Sequence, residues 1–460
     1  MKKAFKKNSR AYASQIKDID YIILHFIDLL GLLRGRTIPA KEADQVVSYG
    51  LGFDGSSIPG GVNIEESDMV MKPDPTTITI FPRYFYDRSV ASFICNIHRP
   101  SGKRFEGDPR YVCQKSMEKL CSEGYEPTAA AELEFYLIRK NENGQICSVE
   151  EHITNCQRYF DISPSRDLTE VYRMDLSDAL SSIGLKVERQ SHEVGSAQNE
   201  ITFKYSSPVT TSDNIIRYKF TAKAVADRKY GWMATFMPKP WLGKAGNGMH
   251  VHLGLLSKNS EKNVFFDPSG YASVSQACRY FVGGLLAHAK ALSAIVAPTI
   301  NSYKRLVPGY EAPIYIAWSR RNRSALVRVP EYFPGEESEV RVEFRSPDSL
   351  CNPYLAYAVL FEAGMDGIKK KIEPEDPIEE NVYHLTDAKR KELGIETLPT
   401  SLKEALEEWN NDEICIRALG KENAEKFVRL KAEEWKEYEP HMPNNKNEVT
   451  QWEIEKYLFA

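Results

Sequence analysis

Ionisable side chains stand at every second position in short apolar segments of this chain. Side chains of an extended strand repeat every second residue, so alternating charges project from one face of a strand. The chain therefore has to fold around strands that bury one face and present carboxylates, imidazoles and guanidiniums on the other. The segments are ELE (132–134), HVH (250–252), RVEFR (341–345) and, less regularly, HEVGSAQNE (192–200).

These residue types favour a metal site for phosphoryl transfer, which needs hard oxygen ligands, an imidazole and arginines. Two alternatives are weighed against that hypothesis. Glu132 and Glu134 could lie on a solvated strand face, although the apolar residues 135–137 that follow make this less favourable. A single histidine such as His250 beside a glycine-rich loop is more often a packing residue than a ligand. The combination predicts a ligase that consumes ATP.

Arginines are dense between residues 304 and 330, and apolar residues separate them. Guanidinium groups in this setting suit bidentate binding of phosphate or carboxylate oxygens. A basic surface for nucleic acid is the alternative, and the net charge of −4 disfavours it. The arginines are Arg305, Arg320, Arg321, Arg323 and Arg328.

Composition sets the class of protein. The 460 residues predict two or three domains, with 42% apolar and 27% charged residues as in a folded enzyme. The most apolar stretch, 21–33, is interrupted by His25 and Asp28, so no membrane span is expected. Eight cysteines without a CxxC pair indicate reduced thiols and a cytoplasmic protein.

The domain boundary is predicted at residues 99–107. Strands are expected at 21–28 and 90–98, and Asp108 with Pro109 marks the start of the next helix. Domains are predicted over 15–104 and 105–460. Further helices are expected at about 212–230, 273–296 and 353–371, after a capping box at Ser401 and Glu404, and from about 422 to the end.

In this order, the segments resemble the type I (bacterial and archaeal) glutamine synthetase family over nearly the whole chain. The matching motifs are FDGSSI (53–58), IEESDM (64–69), ELEF (132–135), HEVGSAQNEI (192–201), TFMPKP (235–240), GNGMHVH (246–252), NSYKRLVPGYEAP (301–313), NRSALVRVP (322–330), RVEFRSPD (341–348) and NPYLA (352–356).

The resemblance implies an α+β fold. A small β-grasp-like N-terminal domain is expected to precede a large catalytic domain with a curved antiparallel sheet and surrounding helices. It also implies a homo-oligomer, a dodecamer of two hexameric rings with active sites between subunits. The implied reaction forms glutamine from glutamate and ammonia through a γ-glutamyl phosphate, with ATP as co-substrate.

The resemblance also assigns the site residues. Two Mg²⁺ or Mn²⁺ ions per site are expected, one at Glu134, Glu193 and Glu200 and the other at Glu132, His250 and Glu343. Arg323 is expected to offset phosphoryl charge, Asp54 to help deprotonate ammonium from the adjacent subunit, and Glu311 to cover the acyl phosphate. The implied substrate residues are Glu134, Tyr159, Gly246, His250, Arg305 and Arg345, and the nucleotide residues are Glu188, Tyr205, His252, Arg328 and Arg341.

Departures from the family pattern keep alternatives open. Ala245 stands where the family usually has an asparagine that contacts glutamate, and Asn247 is a candidate to compensate. A γ-glutamyl ligase for a larger amine (ethanolamine, a polyamine or methylamine) is therefore the second hypothesis. A non-catalytic nitrogen sensor or structural partner is the third, and it is disfavoured because all six expected ligand positions are Glu or His. The short spacing from Glu193 to Glu200 resembles the branch without adenylylation.

Overall fold

The N-terminal segment forms a mixed six-stranded sheet in the computed structural model, which describes residues 14–150, 159–309, 312–333 and 335–460. The strand order is β2-β1-β6-β4-β3, with β5 paired to β6. Only β1 and β6 run parallel among these pairs. The strands are β1 (Tyr21–Ile27), β2 (Leu33–Pro39), β3 (Leu51–Asp54), β4 (Asp68–Pro73), β5 (Thr79–Ile80) and β6 (Val90–His98).

The first turn of this sheet is built around Asp28. The Asp28 carboxylate accepts hydrogen bonds from the backbone N–H groups of Leu30 and Leu32, at 3.0 and 2.9 Å. Gly31 has a φ of 88°, which favours glycine. The predicted strands at 21–28 and 90–98 are confirmed, the first ending one residue earlier because Asp28 opens the turn.

The second sheet has nine strands in the order β14-β15-β16-β12-β7-β10-β9, and β8 and β11 also pair with β7. All of its pairs are antiparallel except β14 with β15. The strands are β7 (Tyr125–Lys140), β8 (Ile146–Ser148), β9 (Val187–His192), β10 (Gln198–Phe203), β11 (Met233–Thr235), β12 (Met249–Ser257), β14 (Trp318–Arg320), β15 (Val327–Val329) and β16 (Val342–Phe344), and a separate pair joins β13 (Tyr315–Ile316) to β17 (Glu396–Thr397).

Strand β7 separates the core from the ionisable face of the second sheet. Leu133 and Phe135 are fully buried. The Phe135 ring contacts Tyr172 and Tyr218 on the helices below, with ring centroids 6.1 and 6.2 Å away. Because neighbours along a strand point to opposite faces, the glutamates that alternate with these apolar residues face away from the helices. The predicted strand with one apolar face and one ionisable face is confirmed.

The helices pack mainly around the second sheet, and the class is α+β as predicted. They are α1 (Ala43–Tyr49), α2 (Pro109–Ser122), α3 (Glu170–Ser182), α4 (Pro208–Val225), α5 (Gln276–Ala287), α6 (Ala289–Val296), α7 (Ser302–Arg305), α8 (Pro353–Lys370), α9 (Asp387–Glu392), α10 (Leu402–Asn410), α11 (Glu413–Leu419), α12 (Lys421–Tyr438) and α13 (Gln451–Tyr457).

Three of the predicted helices need correction. The helix expected at 273–296 is two helices, α5 and α6, divided at His288, whose imidazole binds two carboxylates. The C-terminal helix is also two, because Pro440 lies in the turn that follows α12. The helix expected at 212–230 begins earlier, at Pro208, and ends in a π-helical turn.

Helix caps confirm most of the predicted start signals. Asp108 caps α2 by accepting from the Arg110 N–H at 3.0 Å, as expected. The capping box at Ser401 is only half formed: its hydroxyl accepts from the Glu404 N–H, whereas the Glu404 carboxylate binds Thr400. A complete box occurs instead at Thr450 at the start of α13, which sequence reasoning missed.

Two further findings concern the helices and the cysteines. None of the helices in the described ranges is long and apolar enough to cross a membrane. The cysteines that the structure describes carry free thiols, in agreement with the expectation of reduced cysteines. They are Cys95, Cys113, Cys121, Cys147, Cys278, Cys351 and Cys415.

Candidate active site

The ionisable face of the second sheet gathers the expected metal ligands from four strands and one loop. His250 lies opposite Glu132 in the β12–β7 pair, and Glu200 lies opposite Glu134 in the β10–β7 pair. Strand β16 brings Glu343 to the same face, because Glu343 pairs with His252 of β12. His252 lies on the same face of β12 as His250, whereas the intervening Val251 lies on the opposite face. Register therefore places the ligands on the strands together, and Glu193 approaches them from the loop after β9.

One trio forms a compact donor cluster. Ligand atoms of Glu132, His250 and Glu343 all lie within 4.8 Å of one another. The His250 Nδ1 atom is 3.6 Å from a Glu132 oxygen and 3.5 Å from a Glu343 oxygen. Burial lowers the pKa of His250, so the neutral, ligand-competent imidazole is favoured.

Glu343 is held in the carboxylate form. Burial alone would raise its pKa, but the guanidiniums of Arg345 and Arg328 lower the pKa to about 2. Arg345 donates to Glu343 at 2.9 Å, and Arg328 donates to the other oxygen. A carboxylate has about four lone-pair sites, so these contacts leave it able to bind a cation.

The second trio consists of carboxyl groups that repel one another. Glu134 lies beside Glu200, and one of its oxygens accepts from the Gly248 N–H at 2.7 Å. Glu193 lies just beyond the end of β9. Burial and the charges of Glu134 and Glu132 raise the pKa of Glu193 to about 8. Burial and the same neighbours raise the pKa of Glu200 as well.

The donor set of this face fits divalent cations. Carboxylate oxygens and an imidazole are ligands of Mg²⁺ and Mn²⁺, and a bound cation would remove the repulsion that raises the pKa values of Glu193 and Glu200. A solvated acidic surface does not match these residues, since Glu200 is only partly exposed and Glu343 is fully buried.

Metal binding is expected to stabilise the protein more at pH 8 than at pH 6. The pKa of Glu193 in the folded, metal-free chain is raised to about 8, far above its unfolded value. Between those values the folded state binds more protons than the unfolded state, so the metal-free stability contributed by this group falls as pH rises. A bound cation takes the place of this proton, so the stabilisation that the cation provides grows as pH rises and the proton is lost.

Thermal unfolding with saturating Mn²⁺ and with EDTA, at both pH values, measures this difference. The Glu193→Gln variant is the matched comparison, because it carries no titrating group at that position. A gain in melting temperature from Mn²⁺ that does not change with pH in the unsubstituted chain would contradict the prediction.

An open cleft of about 870 Å³ adjoins this face. Its lining includes Glu132 and four of the five expected nucleotide residues, Glu188, Tyr205, His252 and Arg341. His252 connects the cleft to the cluster, because its Nε2 atom is 3.1 Å from Glu132 and its Nδ1 atom accepts from Arg341 at 3.2 Å. The fifth expected residue, Arg328, contacts the Glu343 carboxylate instead.

Comparisons with known families match nearly the whole chain. The glutamine synthetase beta-Grasp domain matches residues 18–100, and the glutamine synthetase catalytic domain matches residues 106–457. This chain belongs to the glutamine synthetase family. Family members use ATP and divalent metal ions, and the match to the catalytic domain makes this chain an enzyme.

Individual relatives span nearly the same length as this chain. A glutamine synthetase of Thermotoga maritima is 45% identical over 443 residues, covering 96% of this chain and 97% of that protein. A glutamine synthetase of Pyrococcus woesei is 45% identical over 446 residues, with the same coverage. A solved structure named GmaS/ADP complex is 29% identical with a TM-score of 0.82, covering 98% and 99% of the two chains. The predicted glutamine synthetase fold is confirmed.

The residues expected to bind the substrate glutamate lie beside the metal-ligand face. A Cβ atom on Gly246 would stand 2.7 Å from the Arg305 side chain, so only glycine allows this approach. Arg305 is buried and donates to the backbone carbonyls of Ser346, Pro347 and Arg345 at 2.8 to 3.1 Å. The Arg345 Nε atom is buried without a hydrogen-bond partner among the described residues.

The idea that Asn247 compensates for Ala245 is wrong. The Asn247 side chain is fully buried and donates to the Met237 carbonyl at 2.9 Å. Its oxygen accepts from Gln198 at 3.0 Å. The amide therefore holds the loop in place and does not face the site, and the Ala245 carbonyl accepts from the Tyr136 hydroxyl at 2.8 Å.

Tyr159 and Arg323 lie together at the edge of the site. The Arg323 guanidinium interacts with the Tyr159 phenol, and it is also close to the charges of Glu343 and Glu132. Tyr159 is 43% exposed and stacks on Phe160, with ring centroids 3.9 Å apart. Burial and the charge of Glu193 raise the pKa of Tyr159, which keeps the phenol protonated at neutral pH.

Asp54, another expected catalytic residue, is not brought to this face within one chain. Asp54 is exposed at the end of β3, and its carboxylate accepts from Ser56 and Ser57 at 2.6 to 2.9 Å. These hydrogen bonds lower the pKa of Asp54, so it is ionised at neutral pH. Glu311 lies outside the described residues.

Sequence reasoning missed Gln198. Its amide donates to the Gly246 carbonyl and to Asn247, both at 3.0 Å, and its oxygen accepts from the Gly195 N–H at 2.9 Å. It thereby joins the loop that bears Glu193 to the glycine-rich loop before β12. The signal was present, since Gln198 alternates with Glu200 and so shares its face.

Proposed function

We propose that this chain forms glutamine from glutamate and ammonia with ATP, through a γ-glutamyl phosphate. One observation carries the proposal. The cleft beside β12 opens at Glu132 onto the acidic face, so a nucleotide in the cleft can direct its terminal phosphate toward the metal ligands. The full-length likeness to glutamine synthetases supports the same reaction.

The reaction needs two steps because a carboxylate is a poor electrophile. ATP first phosphorylates the side-chain carboxylate of glutamate, and ammonia then displaces phosphate from the acyl phosphate. The phosphate oxygens and the glutamate carboxylate are all negative and repel one another. Divalent cations bound at this face would neutralise that charge.

The ligand roles follow the two trios, with Mg²⁺ or Mn²⁺ as the cations. Glu134, Glu193 and Glu200 would hold one ion, and Glu132, His250 and Glu343 the other. The mutual repulsion of the first trio and the compact donor cluster of the second support this division.

The arginines and the cleft position the substrates. Arg323 lies beside Glu132 and Glu343 and is assigned to the transferring phosphoryl group. Arg305 and Arg345 are assigned to substrate oxygens. The Nε atom of Arg345 supports its assignment, because it has no hydrogen-bond partner in the described part of the chain. In the cleft, Glu188, Tyr205, His252 and Arg341 are assigned to the nucleotide. Arg328 acts through Glu343 and is a positioning residue.

Ammonium has to lose a proton before its nitrogen can attack, and the proposed site supplies a carboxylate base. Tyr159 would bind ammonium at the edge of the site, and Asp54 would reach it from a neighbouring subunit of the proposed dodecamer. The exposure and ionised state of Asp54 support that role. Glu311 would cover the acyl phosphate and exclude water. The free thiols support the proposal of a cytoplasmic enzyme.

An amine panel tests the proposed substrate. Phosphate release from ATP with saturating glutamate is measured for ammonia, methylamine, ethanolamine and a polyamine. Ammonia is expected to give the highest kcat/KM. Ala245 is the feature that favours a larger amine, because it removes an amide from the substrate side. Fast turnover with a larger amine and none with ammonia would support the second hypothesis and contradict the first.

A further inference from the structure

A buried histidine–glutamate pair lies directly behind the loop that carries Glu193. Glu150 and His192 are 0% and 1% exposed, and the His192 Nε2 atom is 3.1 Å from a Glu150 oxygen. The other ring nitrogen, Nδ1, is 2.6 Å from the backbone carbonyl of Glu193. One ring therefore joins a buried carboxylate to the backbone of a proposed metal ligand.

The Glu150 carboxylate also fixes the bend between β9 and β10. The same oxygen that meets His192 accepts from the Ala197 N–H at 2.7 Å. Ala197 has a φ of 56°, a left-handed conformation that is unfavourable for alanine. The buried hydrogen bond offsets that cost and holds the bend from which Glu193 and Glu200 converge.

The pair reaches a second part of the site as well. The other Glu150 oxygen accepts from the Leu168 N–H at 2.8 Å, and the His192 carbonyl accepts from the Phe160 N–H at 3.0 Å. Phe160 follows Tyr159, so the Glu150 side chain and the His192 backbone restrain the segment with the proposed ammonium residue.

A metal site is the alternative interpretation of this cluster, because ligand atoms of Asp167 also lie within 4.8 Å. The atoms that could bind a metal here already have protein partners. Asp167 is ion-paired with Arg173, and both Glu150 oxygens accept backbone hydrogen bonds. Both ring nitrogens of His192 are hydrogen-bonded as well. The hydrogen bonds favour a clamp made of protein groups.

We propose that His192 and Glu150 are positioning residues that hold Glu193 in place for its cation. The inference depends on the proposed metal role of Glu193. Hydrogen-bonded partners behind metal ligands typically contribute about 10- to 100-fold to metal affinity. Losing this clamp should therefore weaken metal binding beyond any general loss of stability.

Two near-isosteric variants of the full-length chain break one contact each. His192→Gln can still donate to Glu150 but not to Glu193, whereas His192→Asn can donate to Glu193 but not to Glu150. Mn²⁺ binding to metal-free protein is measured by calorimetry, and thermal unfolding is measured in EDTA. Both variants are expected to weaken one class of Mn²⁺ sites by about 10- to 100-fold.

His288→Asn is the matched control. His288 is also mostly buried and contacts two carboxylates, Asp412 at 2.6 Å and Asp366 at 3.2 Å, among helices away from the site. It should lower the melting temperature in EDTA and leave Mn²⁺ affinity unchanged. Wild-type Mn²⁺ affinity in both His192 variants, with only a lower melting temperature, would overturn the clamp.

A measurement on the unsubstituted chain covers the case in which neither variant folds. Saturating Mn²⁺ should slow amide hydrogen exchange at Leu168 and Ala197, whose N–H groups bind Glu150. Unchanged exchange at both amides would overturn the clamp. These tests can fail independently of the proposed reaction. A chain in which the clamp supports Mn²⁺ binding but which makes no glutamine would contradict the proposed reaction and leave the clamp proposal standing.

Discussion

The Glu134→Ala variant is expected to lose at least about 100-fold in kcat while remaining folded. Loss of a partner behind a metal ligand costs about 10- to 100-fold, and loss of the ligand itself should exceed that range. Glu134 lies between Glu200 and the Gly248 N–H, at the centre of the acidic face. Steady-state kinetics of phosphate release with saturating ATP, glutamate and ammonia measure the effect.

Metal-free stability should not fall in this variant. The charge of Glu134 contributes to the raised pKa of Glu193, so its removal relieves repulsion. Glu126→Ala is the control, because Glu126 is an exposed glutamate on the same strand. Near-normal kcat in Glu134→Ala would refute the metal assignment, and equal losses in both variants would indicate a general effect on the strand.

The Asp213→Ala variant is expected to lower the free energy of unfolding by about 3 to 5 kcal/mol, because it removes one partner of a buried ion pair. Asp213 on α4 accepts from the Nε and Nη2 atoms of Arg110 at 3.1 and 3.0 Å, and also from the Tyr354 hydroxyl. Arg110 in turn contacts Asn96 of the first sheet and Asp74, which directly follows β4. The pair thus joins the two sheet systems.

Chemical denaturation followed by circular dichroism measures this loss. Glu392→Ala is the matched control, since Glu392 pairs with Lys389 at 2.8 Å on an exposed helix. Exposed pairs contribute about 0 to 1 kcal/mol. A change of that small size in Asp213→Ala would show that the buried pair does not hold the sheets together.

Much of the acidic face could be predicted because a strand has a simple period. Alternation places Glu132 and Glu134 on one face, and it does the same for His250 with His252. Strand register could not be read in this way. Nothing local to Glu134 indicates that Glu200 lies opposite, since that pairing is decided by contacts distant in sequence.

Helices show the same limit. The start of α2 was predictable, because Asp108 and Pro109 act within one turn. The break at His288 was not, because it depends on Asp366 and Asp412, which approach from other helices. The buried partner of His192, Glu150, was missed for the same reason, although His192 lies in a recognised motif.

Transfer of isotope from ammonium to product tests the central claim most directly. The chain is incubated with ¹⁵N-ammonium, glutamate, ATP and Mg²⁺ or Mn²⁺, and product is analysed by mass spectrometry and by ADP assay. We expect glutamine with ¹⁵N in the side-chain amide, one molecule for each ADP, and none when EDTA removes the cations. ADP formation without labelled glutamine, or labelled glutamine that still forms in EDTA, would contradict the account.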